Sequence, residues 1–114
     1  MNIGIEKEIT KLKNLKSKFS LRYADKSDAR KLLREINDFN HLFTSEYIHA
    51  QPFYENNTFS KTDVNDGIND LEYYIKSKLK QKDDKYCIRG SDRINSGIGH
   101  IITSLEREIK FKKD

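Results

Sequence analysis

The chain has 114 residues, 35% of them hydrophobic and 35% charged, with one cysteine and a formal net charge of +4. This length fits a single domain over 1–114 with a modest core. No apolar run approaches the ~18 residues of a membrane span, one cysteine excludes an internal disulfide, and the opening MNIGIEKE lacks the apolar core of a signal peptide, so a cytoplasmic protein is expected.

The first apolar stripe is Ile5, Ile9, Leu12, Leu15 and Phe19. Steps of three and four place these residues on one helical face. Lys7, Lys11, Lys13, Lys16 and Lys18 fill other positions, and a helix over 3–20 is predicted. Asp25 or Ser27 can cap the next helix, because a side-chain oxygen there accepts from the free N–H groups of a first turn. That helix, over 26–50, carries Ala29, Leu32, Leu33, Ile36, Phe39, Phe43 and Tyr47. Asn40 falls within its stripe and is expected as a polar core residue that fixes register. Pro52 marks the stop.

Residues 51–61 read as a loop containing Phe53, Tyr54 and Phe59. Three aromatics in a polar loop either close an open end of the core or serve as interface anchors. A third stripe, Val64, Ile68, Leu71, Tyr74, Ile75 and Leu79, predicts a helix over 62–81 capped by Thr62. Tyr73 lies almost opposite Leu71 on the wheel and is expected at the surface. Lys82–Lys85 reads as a turn. Ser91 is the predicted cap of a fourth helix over 91–111, with Ile94, Ile98, Ile101, Ile102, Leu105 and Ile109. Gly97 and Gly99 lie inside it, each costing about 1 kcal/mol against alanine. Close packing, a late helix start or the approach of a ligand would offset that cost.

These stripes predict an all-α fold, a compact four-helix bundle in up-down-up-down order with the aromatic loop between its second and third helices. The expected core includes Ile9, Leu12, Leu32, Ile36, Phe43, Ile68, Leu71, Ile75, Ile98, Ile102 and Leu105. In that topology Lys16, Lys18, Arg22, Lys26, Arg30, Lys31, Lys80, Lys82, Lys85, Arg89 and Arg93 gather at one pole. Glu6, Glu8, Glu46, Glu55, Asp63 and Asp66 gather at the other. The helix dipole favours basic residues at C-termini, which covers the first and third helices but not Lys26, Arg30 and Lys31. A basic pole attracts phosphates or an acidic protein.

Catalytic and metal-binding patterns are sparse. Glu46 and His49 have the E-x-x-H spacing used by di-metal bundles, which need a second such pair; none is present, so no metal or cofactor is expected. Cys87 sits between Tyr86 and Ile88, which suggests a buried, inert thiol. Arg93 and His100 are separated by six residues. This spacing resembles the R-x(4–6)-H signature of the HEPN superfamily, all-helical domains that include dimeric ribonucleases. The resemblance implies a cleft shared by two chains, Arg93 stabilising phosphate and His100 transferring protons. Arg34 and His41 share the same spacing, and Ile94 stands where a polar residue often follows the family's arginine.

The expected function is therefore non-enzymatic binding to a protein partner, as an inhibitor, immunity factor, adaptor or complex subunit, by a monomer or homodimer. Phe53, Tyr54 and Tyr73 are the candidate anchors. Nucleic-acid binding through Lys26, Arg30, Arg89 and Arg93 is the first alternative, and a HEPN-like ribonuclease using Arg93 and His100 is the second.

Overall fold

A computed structural model describes residues 3–21, 25–56, 58–77 and 85–111. Helix accounts for 90% of the described residues, with no strand among them. There are five helices rather than four: α1 (Ile3–Ser17), α2 (Lys26–Glu46), α3 (Gln51–Asn56), α4 (Thr58–Lys76) and α5 (Lys85–Phe111). They form a rod of 55 × 22 × 20 Å. No described helix is long and apolar enough to cross a membrane.

Asp25 caps α2 as its sequence position predicts. Its Oδ1 accepts from the Asp28 backbone N–H at 2.8 Å, and Asp28 Oδ2 accepts from the Asp25 N–H at 3.1 Å. This reciprocal box satisfies two orphan donors at once. The helix stops at Glu46, short of the predicted 50, because Tyr47 leaves helical geometry while its N–H still reaches Phe43 O.

The predicted loop at 51–61 is instead helical, forming α3 and the first turn of α4. Pro52 is the second residue of α3, in a first turn where an N–H would find no intrahelical acceptor, so proline costs nothing there. Gln51 N–H donates to Tyr47 O at 2.9 Å, and a distant residue holds the turn just before it. Glu8 of α1 is buried, and its carboxylate accepts from the N–H groups of His49 and Ala50 just ahead of α3 and from the His49 ring. Glu8 is therefore an internal cap and not part of a free acidic pole.

The four long helices alternate in direction. Lys11–Glu46 and Lys18–Glu35 set α1 against α2. The Lys26 ammonium donating to Ser77 O sets α2 against α4, and Lys13–Glu106 sets α1 against α5. The core holds Ile9, Leu12, Leu32, Ile36, Phe43, Leu71, Ile98, Ile102 and Leu105 as expected, whereas Ile68 and Ile75 are half-buried. Asn40 is exposed, not in the core: on α2 the aromatic Phe39 fills the inward position beside it.

The closest pair is α4 with α5. A Cβ on Gly67 would stand 2.5 Å from Gly90 O, and one on Gly90 2.7 Å from Gly67 O. A Cβ on Gly97 would meet Val64 Cγ2 at 2.7 Å and Ser60 O at 2.8 Å. Three glycines thus let two backbones touch, which resolves Gly97 as a packing residue. It also corrects the predicted start of the last helix. Ser91 is not a cap; it is fully buried two turns inside α5, with Cys87 and Gly90 on the same packed side. Thr62 likewise lies inside α4, which begins at Thr58.

Candidate functional site on the α4–α5 face

Fixing Gly67 opposite Gly90 determines which side chains meet along the hairpin. Three residues beyond Gly67 is Asp70, and its partners on the antiparallel α5 are Arg89 and Arg93. Arg89 donates from Nε to Asp70 Oδ2 at 3.1 Å and from Nη2 to Oδ1 at 2.9 Å. Arg93 Nη1 donates to Oδ2 at 3.0 Å. A two-pronged guanidinium–carboxylate pair has the strength of charge assistance and a fixed plane. The Asp70 side chain is only 12% exposed, while those of Arg89 and Arg93 are 50% and 40% exposed. The hydrogen bond and charge of Asp70 raise the Arg89 pKa.

Beyond the clamp, Tyr73 of α4 meets Tyr86 of α5, ring centroids 4.7 Å apart. The Arg89 guanidinium lies 4.9 Å from the Tyr86 ring centre. Tyr73 is 55% exposed, at the surface position its place on the wheel predicts. In the other direction along the hairpin, His100 Nε2 stands 4.0 Å from Asp63 Oδ2. One face therefore carries Tyr73, Tyr86, Arg89, Arg93 and His100, anchored by Asp70 and Asp63.

Four sequence candidates, Tyr73, Arg89, Arg93 and His100, meet on this face. The others lie elsewhere. Tyr54 is buried, so it is not an exposed anchor: its ring lies 4.8 Å from that of Phe43 and 6.1 Å from that of Phe39. Burial, with a smaller contribution from Glu55, pushes its hydroxyl up to about 12. Tyr54 thus closes the end of the aromatic core. Phe53 is half-buried against that core, and Phe59, at the start of α4, is exposed. Lys26 lies over the Tyr74 ring, its ammonium committed to Ser77 O, and Arg30 is exposed on α2. Arg22, Lys80 and Lys82 of the expected basic pole fall outside the described residues.

Some residues of the predicted poles are paired internally, whereas Lys16, Arg30, Lys31 and Lys85 have no ion-pair partner among the described residues. Lys18 pairs with Glu35, and Arg89 and Arg93 with Asp70; Glu46 pairs with Lys11, and Glu55 with Lys61. Glu46 and His49, the E-x-x-H pair, are thereby drawn to different partners, Lys11 and Glu8. Arg93 and His100 lie two turns apart on α5, about 10 Å at 1.5 Å per residue, each facing a different aspartate.

Asp70 and Tyr86 were not singled out in the sequence. Asp70 is one acid among several on α4, and only the glycine register makes it the partner of both arginines. Tyr86 reads as a flank of Cys87 until α5 is known to begin at Lys85. Comparison with known protein families, with curated proteins and with solved structures finds no match.

Proposed function

We propose that this protein acts by non-covalent binding to a protein partner, through the outer face of the α4–α5 hairpin. The observation that supports this reading is a tyrosine–arginine patch that is both exposed and already held in place. Tyrosine and arginine dominate interface hot spots. Immobilising each flexible side chain on binding costs about 0.5–1.5 kcal/mol. Asp70 has already fixed Arg89 and Arg93, and Tyr86 supports Tyr73 and Arg89. Much of the ordering is thus present before a partner arrives. Two guanidinium groups share one carboxylate, so the patch keeps a positive excess and suits a partner that presents carboxylates. Inhibitors, immunity factors, adaptors and complex subunits all work in this way, without a cofactor.

The nucleic-acid reading has weaker support, because Lys26, Arg89 and Arg93 are already engaged within the chain. The HEPN-like reading needs a second chain to bring another Arg93 or His100 into reach.

The test is co-purification from the source cells at physiological salt, with the native sequence beside Tyr73→Ala. A protein should accompany the native chain and be lost from the variant, whose melting temperature should be unchanged because Tyr73 is exposed. Recovery of nucleic acid instead, released steeply by salt, would overturn the protein-partner reading.

A further inference from the structure

Gly97 and Gly99 occupy the same helix, and only one of them is explained by packing. A Cβ on Gly97 would strike the backbone and a valine of α4, whereas one on Gly99 would meet only Lys16 Cε, at 3.1 Å. The end of a lysine side chain moves aside easily, so helix packing does not require glycine at 99. Its cost in helix propensity has no return in the core.

Gly99 floors an open groove of about 630 Å³ between α1 and α5. Its lining includes Lys13, Lys16, Asn95, Ser96, His100 and Thr103, and no acidic residue. Lys13 reaches outward to Glu106 at 3.7 Å. Lys16 is different. Lys11, Lys13, Lys18 and Lys61 pair with glutamates, and Lys7, Lys31, Lys76, Lys85 and Lys110 are exposed, but half-buried Lys16 lines a groove with no ion-pair partner among the described residues. Asn95 Nδ2 donates to Lys16 O at 3.0 Å, which fixes the groove wall at the point where that lysine leaves α1. A lysine whose stem is packed and whose charge no carboxylate neutralises favours an anion beside it. The Ser96 hydroxyl and the His100 ring add polar groups around the same space, while the Thr103 hydroxyl is held by its donation to Gly99 O at 3.0 Å.

We infer that the α1–α5 groove is a binding site for a phosphate group, with Lys16 as its charge and Gly99 as the floor on which the Lys16 side chain lies, so that a Cβ at 99 would displace that charge. The inference does not rest on the tyrosine–arginine patch of the α4–α5 side; His100, which borders both, is the one residue they share. The phosphate can belong to a free ligand or to an RNA backbone, since both present the same oxygens.

The experiment is a ¹H–¹⁵N NMR titration of the full chain with inorganic phosphate, with adenosine monophosphate and with a short oligouridylate. Shifts should cluster at residues 13–16 and 95–103. Preference for the mononucleotide identifies a free ligand, and preference for the oligonucleotide identifies a backbone. Lys16→Gln should weaken binding by about tenfold, the scale of one charge-assisted contact. Gly99→Ala should weaken it as well while leaving the melting temperature unchanged or higher, a pairing that a purely structural glycine would not give. Exposed Lys7→Gln should change nothing. Shifts scattered over all lysines, no response to any of the three probes, or full binding by Gly99→Ala would each overturn the proposal.

Discussion

The aromatic cluster at one side of the rod and the glycine seam at the other are packed by different means. On the α1–α2–α3 side the filling is large. Phe39, Phe43, Tyr47 and Tyr54 form one ring cluster, with Phe39 edge-on to Phe43 at 5.0 Å and Tyr47 stacked on Phe43 at 5.6 Å. On the α4–α5 side the seam itself is bare: Gly67, Gly90 and Gly97 bring backbone against backbone, with the buried side chains of Leu71, Ile94 and Ile98 packed beside it. Both sides bury apolar area, but only the seam adds dispersion contacts from close backbone approach. Tolerance to change should therefore have opposite signs in the aromatic cluster and along the glycine seam, removal being worst in the first and addition in the second.

The largest expected effect tests the aromatic side. Phe43→Ala removes the ring that touches Phe39, Tyr47 and Tyr54 together, and it should cost about 3–5 kcal/mol in a urea or thermal melt. Ile36→Ala, fully buried on the same helix, falls in the range of about 2–5 kcal/mol. A loss of only a few tenths for either would mean that this cluster is loosely packed and that the contrast between the sides is false.

The second effect is smaller and comes from adding a single methyl group. Gly90→Ala should destabilise by about 1–3 kcal/mol, the usual cost of overpacking. Helix propensity alone would favour the alanine by about 1 kcal/mol, so the sign of the result decides between the two causes. A stabilised Gly90→Ala protein would mean that α4 and α5 can separate without loss. The groove glycine provides the internal comparison, because the same substitution at Gly99 meets only a lysine end.

This contrast also explains what the sequence could and could not reveal. Stripes of large apolar residues located α1, α2 and the cores of α4 and α5, because phase on a helix is carried by bulky side chains. The α4–α5 seam is written in Ser60, Gly67, Gly90, Ser91 and Gly97, which score as breakers or caps in any search for hydrophobic periodicity. Hence Ser91 read as a cap, and the first two turns of α5 read as a turn and linker. Likewise, α3 was hidden because the turn leading into it is held by Glu8, 42 positions before Ala50, and no local pattern encodes that. Tyr73, Arg89, Arg93 and His100 were visible as residue types. Their convergence was not, since it depends on the glycine register between two helices.

The smallest expected effect uses pH to tell the two sides apart. Burial raises the hydroxyl pKa of Tyr54 from 10.0 to about 12, and burial, with Glu46 and Glu8, raises that of Tyr47. In each case the folded state holds its proton more tightly than the unfolded chain. Between pH 10 and 12 the folded protein therefore binds more protons than the unfolded one, and its stability falls as pH rises through that window. Below pH 10 the contribution is fully present and flat. Both groups belong to the aromatic side, whereas Tyr73 is exposed on the other. Melting temperatures recorded across this window should drop, and Tyr54→Phe should flatten part of the drop because it has no proton to lose. Tyr73→Phe should leave the profile as it is. If Tyr73→Phe flattened the profile and Tyr54→Phe did not, the buried hydroxyl would have to be reassigned to the α4–α5 side, and with it the boundary drawn between the two modes of packing.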